Sequence, residues 1–113
     1  MVVALAVFDF HLPHVRGLKE KRAFVRPLKS RLRGDFEISA AEVAHQDLLQ
    51  RASVGVAAVG AHREALEPLL EKIVRFVETY AEEAGVEIAL ARREFLVYGD
   101  VGAPGNPFGS PEE

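Results

Sequence analysis

The chain contains no cysteine, so a disulfide framework, a thiolate metal site and a cysteine nucleophile are all excluded, and a reducing cytoplasmic setting is the simplest expectation. It has no tryptophan, and Asn, Gln and Met are almost missing: Asn106, Gln46, Gln50 and Met1 are the whole supply. With ten arginines against four lysines, this scarcity of labile side chains beside many ion-pairing groups suggests a heat-adapted source. Long hydrophobic runs are also missing. The apolar stretch from Val2 to Phe8 stops at Asp9 and has no basic flank, too short for a membrane span and unlike a signal peptide. There is no P-loop and no G-x-G-x-x-G, which removes the familiar nucleotide-binding motifs.

What remains is ordinary globular composition, 49% hydrophobic and 27% charged over 113 residues, enough for one core. The formal charge of −3 conceals an asymmetry. Between Arg16 and Arg33 eight basic residues face Glu20 alone, a local +7, which leaves −10 on the rest of the chain. Bulk charge gives no reason to expect nucleic-acid binding, but this local field does.

Periodicity divides the chain. Val2 to His11 is apolar at both parities until Asp9 and is expected as a central strand. Leu18 to Arg33 places Leu18, Val25, Leu28 and Leu32 on one helical side, with Gly34-Asp35 as its stop and Pro27 expected to kink or divide it. Phe36 to Val43 and Arg51 to Val59 are expected as strands. Asp47 and Gln50 in the connection between them have the spacing of a capped helical turn. Arg63 to Ala84 is a second helix carrying Leu66, Leu70, Ile73, Val77 and Tyr80, with Gly85 as its stop and Pro68 expected near its first turn. Val86 to Tyr98 is a last strand whose apolar parity changes around Arg92, Arg93 and Glu94, which suggests a bulge or overhang there. Residues 100–113, rich in Gly and Pro, are expected to form a flexible tail after a single domain over residues 1–99.

The order βαββαβ is that of a ferredoxin-like α+β sandwich, a four-stranded antiparallel sheet with both helices on one face. The opposite face is then open and partly apolar, which suits a homo-oligomer, a dimer in the simplest case, and an alternative role as an interaction module without catalysis.

Three groups of residues bear on chemistry. Lys19, Arg22, Arg26, Lys29 and Arg33 recur at alternating spacings of three and four, falling within an arc of about 80° as one cationic ridge. Such a ridge suits the phosphate backbone of RNA; equally it suits pairing with the acidic second helix. RNA stacking on the sheet has no support, because Arg51 to Val59 lacks aromatic residues. Around the strand connection, Glu42, His45, Gln46, Asp47 and Arg51 gather acid, base and hydrogen-bonding groups but no activated nucleophile, and Arg51 paired to Glu42 or Asp47 around a capped turn accounts for them equally well. Asp9, His11 and His14 are candidate metal ligands in type but offer no fourth ligand, so neither a metal nor another cofactor is expected.

The start Met1-Val2-Val3, the helix opening Leu18-Lys19-Glu20-Lys21-Arg22, and the run from Ala41-Glu42-Val43-Ala44-His45-Gln46-Asp47 to Ala52 resemble the YlxP-like family of uncharacterised bacterial proteins over residues 1 to 98. The resemblance implies the same ferredoxin-like fold. Genes of that family often lie beside those for translation initiation, transcription antitermination and ribosome maturation, which implies an RNA or ribosomal-particle partner. It implies no activity. Gly17 stands where the family more usually has Ser, so a capping hydroxyl is lost at the helix start.

Overall fold

In the computed structural model, which describes residues 1–99, the elements run β1 (Val2–His11), α1 (Leu18–Phe36), β2 (Ser39–Ala44), β3 (Arg51–Gly60), α2 (Arg63–Glu83) and β4 (Glu87–Val97). The expected tail, 100–113, lies outside the described residues. The strands form one sheet in the order β2-β3-β1-β4, and every neighbouring pair is antiparallel. This is the ferredoxin-like sandwich that the element order implies.

Alternation along β1 sets up the layers. Val2, Ala4, Ala6, Phe8 and Phe10 are buried beneath the helices, while Val3, Leu5, Val7 and Asp9 between them are only half-buried. The cross-strand partners continue both faces. Phe8 stands opposite Val54 and Phe10 opposite Ala52 on the helix side, and Leu5 opposite Ala57 and Val7 opposite Gly55 on the open side. Phe24, Val25, Leu28 and Leu32 of α1 and Leu66, Leu70, Ile73, Val77 and Ala81 of α2 close the core. Aromatic rings bridge the layers, Phe10 edge-on to Phe24 at 5.0 Å and Phe24 against Tyr80 at 5.3 Å.

Several boundaries differ from the sequence reading, each for a local reason. The first helix passes through Gly34-Asp35 and ends at Phe36, whose ring packs on Phe76 of α2 at 5.5 Å. That contact holds the last turn in the helix, so Phe36 is not a strand residue. Glu37 makes the left-handed turn expected of Gly34, at φ 53°. Pro27 lies on the exposed side of α1, and the helix continues through it without division. Pro68 is the sixth residue of α2, beyond the first turn. That helix does end at Gly85, with φ 69°. The Val86 N–H returns to the Ala81 carbonyl at 2.9 Å and the Gly85 N–H to Glu82 at 3.1 Å, a Schellman closure.

The irregularity in β4 is a register shift opposite Asp9 and Phe10, where Ala89 is passed over between Leu90 and Ile88. Arg92, Arg93 and Glu94 sit in regular pairing with Val7, Ala6 and Leu5, so the bulge precedes the charged triplet.

Candidate nucleic-acid interface and the lysine clamp

The ridge residues all lie on α1, and three of them, Lys19, Arg22 and Arg26, are exposed. Lys29 is half-buried. Arg33 is exposed too, but its guanidinium is engaged: Nε and Nη2 donate to the Ala40 carbonyl at 2.9 and 2.6 Å, a forked contact onto edge strand β2. The ridge runs about 21 Å along the helix.

Its direction separates it from the acidic helix. Along the length of the ridge, α1 meets α2 through Phe24, tilted against Tyr80 at 5.3 Å, and Arg31, whose guanidinium lies 4.6 Å over the Phe76 ring and 3.6 Å from Asp35; Phe36, past the end of the ridge, adds its ring contact with Phe76. On a helical wheel Phe24 and Arg31 stand roughly opposite the centre of the ridge, which faces the β2 side. Among the described residues no cation of α1 forms an ion pair with a carboxylate of α2. The Glu67 carboxylate is met instead by Arg63 of its own helix, at 3.3 Å.

The helix that carries the ridge is pinned by its one lysine outside that ridge. Lys21 is 2% exposed and occupies a core position of α1. Its ammonium donates to the His45 carbonyl at 2.7 Å and the Leu48 carbonyl at 2.6 Å, with Gln46 at the limit of contact, 3.5 Å. The Glu42 carboxylate stands 3.0 Å away from the same nitrogen. Oε2 of Glu42 has no hydrogen bond of good geometry, so its tie to Lys21 is electrostatic while two of the three ammonium protons go to carbonyls.

This clamp decides the conformation of the β2–β3 connection. His45 is left-handed at φ 63°, and the Leu48 N–H closes back onto the His45 carbonyl at 3.0 Å. No helical turn forms, and Asp47 is not a cap. The far side is tied to the β1–α1 loop, where the Gln50 carbonyl accepts from the Leu12 N–H at 3.0 Å and the Gln50 side chain donates to Val15 at 3.2 Å.

The five polar residues expected as a site therefore do not converge. Glu42 faces Lys21, His45 and Gln46 contribute backbone carbonyls, and the Gln46 side chain donates to the Glu42 carbonyl at 3.3 Å. Asp47 and Arg51 are exposed, and Arg51 pairs with neither Glu42 nor Asp47. Arg51 instead shares a shallow hollow of about 480 Å³ with Arg16 and Asp47, beside the start of α1.

On the open face the Ser53 hydroxyl donates to Asp9 Oδ1, which accounts for that carboxylate. His11 and His14 are exposed, and no cluster suited to a metal occurs among the described residues. The open face has a larger apolar hollow, about 790 Å³, lined by Leu5, Val7, Ala41, Val43, Gly55 and Ala57 with Arg92 and Glu94 at its side. Burial raises the pKa of Tyr80, against the smaller opposing effects of Arg31 and a backbone hydrogen bond at Leu28, and its hydroxyl donates to the Phe24 carbonyl at 2.7 Å. No described helix is long and apolar enough to cross a membrane.

The two segments that carry the family resemblance thus meet in space: the opening of α1 supplies Lys21, and the run after Ala41 supplies Glu42 and the carbonyls that Lys21 holds. Comparison with known proteins agrees. The chain is 35% identical over 80 residues to the uncharacterized protein YlxP of Bacillus subtilis (strain 168), covering 71% of this chain and 84% of that one. Residues 3–90 match the family DUF503, described as a protein of unknown function, and the chain belongs to that family.

Proposed function

We propose that this protein is a cytoplasmic RNA- or ribosome-associated accessory protein that binds phosphate backbone through the α1 ridge and does so without catalysis. The observation that carries the reading is the segregation of charge. Lys19, Arg22, Arg26 and Lys29 have no ion-pair partner among the described residues, and they lie on the flank turned away from the acidic helix. A row of cations left unneutralised by its own chain gains by releasing counterions from a polyanion. The spacing along a rigid helix suits backbone contact, which positions without reading sequence. Arg33, tied to Ala40, is the member with least freedom to reorient, and Arg16 and Arg51 extend the positive surface past the helix start.

Fluorescence anisotropy of the full chain with labelled single-stranded RNA, across a range of salt, tests this. The log–log slope should fall between about −2.8 and about −3.5, for four to five phosphates at about −0.7 each. Reversing three charges, in K19E/R22E/R26E, should abolish binding while leaving the circular dichroism spectrum unchanged. Absence of binding at low salt, or a triple variant that binds like the wild type, rejects the reading.

A further inference from the structure

The two edges of the sheet are finished differently. β2 has only six residues, breaks register between Glu42 and Ala44, and has an arginine guanidinium laid over its Ala40 carbonyl. Shortness, a bulge and a covering cation are the usual ways of making an edge unfit for pairing. β4, at the other edge, is 11 residues long, has its own register shift only near its start at Ala89, outside the regularly paired stretch from Leu90 to Val97, and has no fully buried residue. Leu90 and Leu96 on its open-face side are 49% and 45% exposed.

The order of side chains on that side of β4 is Leu90, Arg92, Glu94, Leu96, facing Asp9, Val7, Leu5 and Val3 of β1. Neither Arg92 nor Glu94 has an ion-pair partner among the described residues. Reversed about Arg93, the order is its own complement: apolar meets apolar, and each charge meets its opposite. A strand guarded against pairing would carry charge of one sign; this one carries a pattern that matches itself.

We propose that a second copy of this chain pairs with β4 edge to edge, antiparallel about a two-fold axis at Arg93, to form a continuous eight-stranded sheet. Leu90 then stands opposite Leu96 of the second copy, and Arg92 opposite Glu94, each pair occurring twice by symmetry. The one unfavourable juxtaposition is Arg93 with its own counterpart on the helix side, a like-charge pair in contact with solvent and screened by salt. It is outweighed by two opposite-charge pairs, two leucine pairs and the main-chain hydrogen bonds of a paired edge. The ridges lie on the β2 sides, clear of the junction, and the hollows of the open faces stay open, so this association is independent of RNA binding.

Sedimentation equilibrium of the full chain at micromolar concentrations tests the arrangement. The wild type should be a dimer. Arg92→Glu and Glu94→Arg should each weaken the dimer by about tenfold or more, because each change places like charges together twice. An equimolar mixture of the two variants should associate as a heterodimer, and the double exchange R92E/E94R should restore the homodimer. All three variants change exposed side chains, and far-UV circular dichroism checks that they remain folded. A monomeric wild type overturns the proposal, whether β4 then takes another protein or nothing. Single variants that dimerise like the wild type, or a mixture that stays monomeric, overturn it equally.

Discussion

Replacing Lys21 with methionine is the most direct test of how the β2–β3 connection is held. Methionine preserves most of the volume and apolar stem, so the loss is confined to the ammonium. Without it the Glu42 carboxylate, whose side chain is 18% exposed, loses its counter-ion, and the His45 and Leu48 carbonyls lose their donor. Removing one partner of a buried ion pair costs about 3–5 kcal/mol, and the partial exposure of Glu42 puts this case near about 3 kcal/mol. For a domain of this size that lowers Tm by about 12–24 °C, at about 4–8 °C per kcal/mol. Thermal and urea unfolding measure the loss, and amide exchange should show the 45–50 segment opening before the rest. Lys21→Met with Glu42→Leu should recover much of the stability, because the stranded charge is then gone. A loss below about 1 kcal/mol with unchanged exchange in the loop would refute the clamp.

Tyr80 should give the fold an alkaline limit. Its pKa is raised on folding by burial, so its contribution is complete below the unfolded value near about 10 and is lost as pH climbs from there through the folded value. Tyr80→Phe should cost about 1 kcal/mol at neutral pH, from the lost bond to Phe24, and should flatten the fall in Tm above that range; an equally steep fall would assign it to other groups. The C-terminal turn of α1 should be improvable. Gly34 is helical, with open space where a Cβ would point, so Gly34→Ala should gain about 1 kcal/mol, and Glu37→Gly should relieve a left-handed φ of 53° for a further gain of about 0.5–1 kcal/mol, both read from chemical denaturation.

The order of elements was legible from unlike local signals: a short run apolar at both parities along β1, and recurrence at three and four along α2. What local pattern missed was settled across the fold. Gly34 looks like a helix stop, but the Phe36 ring finds Phe76 on α2 and draws the helix one turn further. Asp47 and Gln50 look like a capping pair, but their segment is shaped by an ammonium more than twenty residues upstream. The signal for Lys21 was present. With Phe24, Val25, Leu28 and Leu32 it continues the core spacing of α1, and a cation in that stripe requires a carboxylate or carbonyls from elsewhere. Counted only by charge, it is one more cation of the basic segment. Glu42, placed on the helix side of β2 by its pairing with Val54, was the carboxylate it needed.

The basic segment consequently divides into roles that its summed charge conceals. Lys21 is consumed inside the fold, Arg31 lies against Phe76 and Asp35, and Arg33 covers the edge of β2. Each of these three cations has an internal task, and each sits where the helix meets another element. Lys19, Arg22, Arg26 and Lys29 form no ion pair among the described residues, and α2, which has the carboxylates to neutralise them, is packed against the other side of α1. Packing both helices on one face of the sheet thus keeps the two charge populations apart instead of pairing them. An isolated surface cation is worth little to stability either way. Four in a row along one flank, three of them exposed, form a field of one sign, and this separation is the physical basis for proposing the ridge as a binding surface while Lys21 belongs to the fold.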